Sequence, residues 1–166
     1  ALVWDMPMHG ASRPFRSVSM LQMARFIEDI AQHEGLPPVH VVGQSMGGMV
    51  AQYWAQIDPE RIKSLSLIDS IPLQPRYRSK MDAWALKTVP FFTKLNFKPQ
   101  AIPRMAAKIA CSPAAQSYVC QRFETLSKAE LVNIMRVLVE GVNGAQALEL
   151  NMPVQAMVGE YDGLGK

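Results

Sequence analysis

Apolar residues recur at three- and four-residue steps between Ser19 and His33, at Met20, Met23, Ile27, Ile30 and Ala31, which puts them on one face of a helix. Ser19 and Gln22 have the spacing of a capping box, and Val18 and Met23 that of its hydrophobic staple. Gly35 and the pair Pro37-Pro38 stop the segment. The period then changes. Val39-His40-Val41-Val42 is a short β-branched run of the kind that forms fully buried parallel strands, and His40 within it is expected to be packed or to face a neighbouring helix. It leads into Gly43-Gln44-Ser45-Met46-Gly47-Gly48, after which Val50, Tyr53, Trp54 and Ile57 mark one face of a second helix that Asp58-Pro59 ends. Ile62 to Asp69 reads as the next strand, apolar at Leu65, Leu67 and Ile68 and polar at Ser64 and Ser66. Upstream, Leu2-Val3-Trp4-Asp5 reads as the end of a buried strand and Met6 to Ser12 as a loop. The order strand, helix, strand, helix, strand with short links predicts the α/β class: a parallel sheet with helices on both faces.

From about Ile71 to Leu150 the pattern is helical, without a convincing strand, and is broken at Pro75, Pro90, Pro99, Pro103 and Pro113. The best-defined helix runs from Ser127 to Val142, with Ser127 and Glu130 as capping box, Leu126 and Leu131 as staple, and a stripe of Leu131, Ile134, Met135, Leu138 and Val139. Pro153 to Gly159 returns to a strand, followed by a turn at Glu160-Tyr161-Asp162-Gly163. The chain of 166 residues, about half of them hydrophobic, suffices for one core. Its net charge of +3 argues neither for nor against a polyanionic partner. No apolar run is long enough to cross a bilayer. Cys111 and Cys120, nine apart and with no histidine nearby, read as free thiols of a reducing compartment, which makes the cytoplasm the default location.

The chemistry concentrates at Gly43-Gln44-Ser45-Met46-Gly47. A serine hydroxyl is a weak nucleophile that needs a base, exposure and nearby N–H donors for the oxyanion. Gly-x-Ser-x-Gly between a β-branched strand and a helix supplies the exposure, with Gly43 and Gly47 leaving room where side chains would collide with neighbouring backbone. The helix start directs partial positive charge at the same point. The alternative is a glycine-shaped turn carrying a passive serine. A phosphate-cradling loop is disfavoured, because neither Gly-Lys-Ser/Thr nor Gly-x-Gly-x-x-Gly spacing is present.

Over nearly its whole length the chain resembles the α/β-hydrolase superfamily. Asp5-Met6-Pro7-Met8-His9-Gly10-Ala11-Ser12 is similar to the family's Asp-x-Pro-Gly-His-Gly-x-Ser loop, with Met8 where glycine is usual. Val41 to Gly48 resembles the nucleophile elbow, Asp58 to Ile62 the link to the next strand, and Pro153 to Asp162 the strand and turn that carry the acid. The resemblance implies an α/β-hydrolase core over residues 1–70, an inserted all-helical cap over 71–150, and a return to the core over 151–166. It implies that Ser45 attacks the substrate carbonyl, that the backbone N–H of Met46 is one oxyanion donor, and that Asp162 orients the catalytic histidine. Asp162 also fits an ordinary turn residue before glycine, and Asp69, at another strand end, is the second choice for the acid. Gln44 and, within the cap, Trp84 are expected to contact substrate.

The family order is nucleophile, acid, histidine, yet His9, His33 and His40 all precede Ser45. None suits the base. The chain is therefore expected to be an incomplete fold that lacks its first strands and the catalytic histidine, and to be inactive by itself. The expected activity of the intact protein is hydrolysis of a carboxylic ester or lactone. Other triad chemistries (C–C hydrolysis, amide hydrolysis, perhydrolysis, acyl transfer) and a non-catalytic ligand-binding protein on the same fold stay open. No metal or cofactor is expected, and the partner is a small ester-like molecule, with no nucleic acid and no stable membrane insertion. Residues 71–150 carry 11 Lys or Arg against 5 Asp or Glu, a charge that fits either a solvated outer face or steering of anionic substrates. Met81, Trp84, Phe91, Phe92, Phe97, Met105 and Met135 fit either cap packing or an acyl pocket.

Overall fold

The computed structural model describes residues 1–15, 17–74, 88, 90–91, 98–144 and 149–161. Three strands, β1 (Val39–Gln44), β2 (Ile62–Ile68) and β3 (Val154–Met157), form a parallel sheet in the order β1-β2-β3. Helix α1 (Met20–His33) precedes β1, and α2 (Met46–Ile57) joins β1 to β2. Among the described residues three further helices follow β2: α3 (Ile102–Ile109), α4 (Pro113–Glu124) and α5 (Lys128–Gly144).

Local chemistry sets these boundaries. The Ser19 side chain accepts from the Gln22 N–H while the Gln22 side chain accepts from the Ser19 N–H, so the predicted capping box is formed. The same reciprocal pair, Ser127 and Glu130, starts α5. Asp58 ends α2 and its carboxylate accepts from the Arg61 N–H, closing the 3-10 turn Pro59–Arg61 that leads into β2.

The core lies between the sheet and the α1–α2 layer. Met20, Met23, Ala24, Ile27 and Ala31 from α1 meet Met49, Val50, Tyr53 and Trp54 from α2, with Ile62, Leu65 and Leu67 of β2 beneath them. Helix α5 joins this core through Ile134, Val137 and Val142, and its Gly141 carbonyl accepts the Tyr53 hydroxyl at 2.7 Å. So the last helix of the segment expected as a cap packs on α1 and α2, whereas α3 and α4 pack on each other.

Two expectations differ from the structure. Residues 1–5 form no strand, and Val3 is 92% exposed, because among the described residues no neighbouring strand pairs with them. β1 is not buried on both sides either. Its alternate residues Val39, Val41 and Gly43 face the helices, while His40, Val42 and Gln44 are exposed. His40 is accordingly exposed, and its ring Nδ1 lies 2.7 Å from Ser64 Oγ on the facing strand. Apolar character at 41 and 42 records two faces, of which the described residues cover one.

Candidate active site

The site forms where the carboxyl ends of the strands meet the start of α2. β1 runs to Gln44, α2 begins at Met46, and Ser45 alone makes the corner, with φ 48° and ψ −118°. A non-glycine residue at such angles costs on the order of 1–3 kcal/mol and persists only where the surroundings hold it. They do here. The Ser45 N–H extends the sheet by donating to the Ile68 carbonyl at 2.9 Å, and the Ser45 carbonyl accepts the Ser70 hydroxyl at 2.9 Å. It also receives the Gly48 and Met49 N–H groups that open the helix. The Ser45 side chain makes no cap hydrogen bond and the residue is exposed, which leaves its hydroxyl presented at the surface. The N–H groups of Met46 and Gly47 precede the first helical acceptor, so they are the unsatisfied donors every helix start carries. Met46 itself is buried beneath the turn, which fixes its backbone.

The glycines divide differently from the sequence expectation. A Cβ on Gly43 would lie 2.6–2.7 Å from backbone atoms of Gly47 and Gly48. One on Gly47 would meet nothing within 4 Å. The second required glycine is Gly48, whose Cβ would lie 2.5 Å from Ser70 Oγ and 2.9 Å from the Gly43 carbonyl oxygen. The motif signals Gly47 by its spacing; the contact falls one residue later, where the first turn of α2 crosses back over β1.

The loop before α1 is built around Asp5. Its carboxylate accepts from the Ala11 N–H at 2.8 Å and its carbonyl accepts the Ser12 hydroxyl at 2.8 Å, shaping the 3-10 turn Gly10–Ser12. Met8 has φ 70°, which explains why glycine suits that position. Its side chain is nevertheless buried, and its sulfur accepts from Asn133 Nδ2 of α5 at 3.1 Å.

Of the sequence-assigned residues, Ser45 and Met46 occupy one turn as expected. Gln44 is exposed at the end of β1 and lines an open groove of about 970 Å³ between Leu2, Trp4 and the β1 edge; Ser45 does not line it. Asp162 and Trp84 lie outside the described residues. The histidines are engaged elsewhere or remote in the fold: His9 Nδ1 lies 3.1 Å from the Pro7 carbonyl, His40 pairs with Ser64, and His33 is the exposed last residue of α1. Asp69 directly follows β2 at the same end of the sheet. It has φ 45°, and its Oδ1 accepts the Gly159 N–H at 2.7 Å just beyond β3. Among the described residues no three His, Cys, Asp or Glu side chains gather as metal ligands. Nor is any described helix long and apolar enough to cross a membrane.

Away from the turn, Glu28 is the buried charge of the helical layer. Burial pushes its carboxyl up. Hydrogen bonds from Trp54 Nε1 at 2.6 Å and Gln32 Nε2 at 2.7 Å, together with the Arg61 guanidinium at 3.3 Å, outweigh this and hold it below the usual glutamate value. Arg61 also donates to the Leu36 carbonyl at 2.7 Å, so one network ties α1, α2 and the turn before β2.

Comparison with known proteins agrees with this geometry. A family model described as alpha/beta hydrolase fold matches residues 2–108. The dihydrolipoyllysine-residue acetyltransferase component of the acetoin cleaving system of Cupriavidus necator is 38% identical over 68 residues, 40% of this chain and 18% of that protein. The pimeloyl-[acyl-carrier protein] methyl ester esterase of Chromobacterium violaceum is 40% identical over 68 residues, 41% of this chain and 25% of its own length. Among solved structures, a thermophilic esterase from Thermogutta terrifontis superposes with a TM-score of 0.62 at 18% identity, over 90% of this chain and 57% of that one. The chain thus spans a quarter or less of these curated relatives and somewhat over half of the solved structure. With a strained serine turn between a parallel strand and a helix, and a family match over well more than half its length, the chain belongs to the α/β-hydrolase fold family.

Proposed function

We propose that this chain carries the nucleophile of a serine hydrolase that cleaves a carboxylic ester or lactone through an acyl-enzyme on Ser45. The observation that carries the reading is the Ser45 corner: exposed, at φ 48° and ψ −118°, and directly before the N-terminus of a buried helix. In this reading Ser45 Oγ attacks the substrate carbonyl while a histidine takes its proton. The oxyanion is held by the Met46 N–H and a second donor, and the histidine then protonates the leaving alcohol. Water attacks the acyl-Ser45 ester in turn and releases the acid. Asp162, which follows β3 by five residues, is assigned to orient the histidine. The histidine of this reading is none of His9, His33 and His40, which lie away from the Ser45 turn. Residues 71–150 supply the cap in this reading, represented by α3 and α4, with Trp84 and Gln44 contacting substrate. A small ester and a cytoplasmic setting complete it, the latter supported by two free cysteines.

The relative named as a methyl ester esterase supports ester chemistry, and the one named as an acetyltransferase component supports a second reading. There the same acyl-Ser45 is resolved by an alcohol, amine or thiol instead of water. The test is to express the full reading frame and mix it with p-nitrophenyl esters of increasing acyl length and with an acyl lactone. Intact-mass analysis of quenched reactions should show an acyl adduct on the peptide containing Ser45. Partitioning of that adduct towards an added acceptor in preference to water would select the transfer reading. Turnover of these substrates with no adduct, or undiminished turnover in Ser45→Ala, would overturn both.

A further inference from the structure

We propose that Asp69 is a positioning residue that locks the exit of β3 to the nucleophile turn. The inference rests on Ser45 being the nucleophile. β2 is the central strand of the three, and its last residue, Ile68, accepts the Ser45 N–H at 2.9 Å. The next two residues then reach in opposite directions. Asp69 donates its N–H to the Met157 carbonyl at 2.8 Å and accepts the Gly159 N–H on Oδ1 at 2.7 Å, gripping the chain on both sides of Val158. Ser70 donates to the Ser45 carbonyl at 2.9 Å and lies against Gly48. One two-residue corner therefore fixes both the nucleophile turn and the exit of β3 from Met157 to Gly159.

The residue type fits the task. Asp69 sits at φ 45°, in the left-handed region that Asp and Asn tolerate better than other side-chain-bearing residues. Its carboxylate accepts a backbone N–H, so one oxygen is already engaged in holding the loop. A triad acid, the alternative its strand-end position left open, would direct its second oxygen and its charge at a histidine. A positioning role needs an acceptor at this angle and not a charge.

The amide and the acid can thus be separated. Asp69→Asn keeps the acceptor and the tolerated backbone; Asp69→Gly keeps the backbone and removes the acceptor. In the full-length protein, folding being checked by circular dichroism, Asp69→Gly should lower kcat and the rate of fluorophosphonate labelling by about ten- to a hundredfold, as expected for displacement on the order of 1 Å. KM should stay within about threefold, and Asp69→Asn should restore kcat to within about threefold of wild type with an unchanged pH profile. Wild-type rates in Asp69→Gly would overturn the proposal. So would a loss of about 10⁴-fold in Asp69→Asn, which would make Asp69 the acid itself. If the wild-type protein neither labels nor turns over, the hydrolase reading fails. The grip on the loop is then read from amide exchange at Gly159, protected with Asp or Asn and at least about tenfold faster with Gly. An unprotected Gly159 in wild type would overturn it.

Discussion

Replacing Gly43 and Gly47 separately by alanine tests whether the turn is shaped as described. Both belong to the same five-residue motif, and both substitutions add one methyl group. At Gly43 that methyl would sit 2.6–2.7 Å from three backbone atoms, the Gly48 Cα and N and the Gly47 carbonyl oxygen. Backbone has no rotamer with which to move aside. Either β1 or the first turn of α2 must shift by most of an ångström, and overpacking of this kind costs about 1–3 kcal/mol or more. Against this, alanine restricts the unfolded chain and returns only about 0.4–1 kcal/mol. The net expectation is a loss of roughly 1–2 kcal/mol. At Gly47 nothing lies within 4 Å, and the residue is in the first turn of a helix. Alanine there should be neutral or stabilising by up to about 1 kcal/mol. The assay is urea unfolding of the full-length variants, comparing midpoints at constant m-value. Equal losses for the two variants, or a greater loss at Gly47, would refute the assignment of the crossing point to Gly43 and Gly48.

Glu28→Ala should cost about 1–3 kcal/mol, because it leaves the buried Trp54 N–H without its acceptor and takes one carboxylate from Arg61, which keeps the Leu36 carbonyl and Asp58; an unchanged midpoint would show that the network contributes little. Tyr53→Phe, which removes the 2.7 Å bond to the Gly141 carbonyl, should cost about 1 kcal/mol in the same urea assay, and an unchanged midpoint would argue against the docking of α5 on α2. Two carboxyls give the acid side of the stability curve. Glu28 is held below its unfolded value of 4.5, and Glu130 is lowered to about 2 by hydrogen bonds from the Ser127 side chain and backbone and from Arg13. A lowered folded value means that the stabilisation is present above 4.5 and is lost as pH falls through the folded values, towards about 2 for Glu130. Unfolding midpoints of wild type and a Glu28→Gln/Glu130→Gln variant across that window should converge as pH falls; parallel curves would contradict the assignment.

The elements around the turn were legible because each is fixed by local chemistry. Ser19 with Gln22 and Ser127 with Glu130 start their helices as their spacing indicates, and the step from Val39-His40-Val41-Val42 to Gly43 marks the strand and the turn together. What sequence could not give depends on which surfaces meet. Pattern alone does not say that α5 packs on α1 and α2, since an apolar stripe serves a cap or a core equally well. It placed Leu2 to Asp5 in a strand, but a strand exists only with a neighbour to pair with. It chose Gly47 over Gly48 because motif spacing reports a consensus, whereas the close approach depends on the angle at which α2 leaves β1. For Asp69 the sequence offers only a strand-end acid of second choice, and its bond to the Gly159 N–H appears only once β3 is paired beside β2.

The central claim is that Ser45 is an activated nucleophile. Its most direct test is labelling of the full-length protein with a fluorophosphonate, beside Ser45→Ala and beside protein unfolded in urea. The expected result is stoichiometric labelling of folded wild type, mapped to the peptide that contains Ser45, with none in Ser45→Ala or in the unfolded control. A folded full-length protein that stays unlabelled, or that labels equally well in Ser45→Ala, would contradict the account.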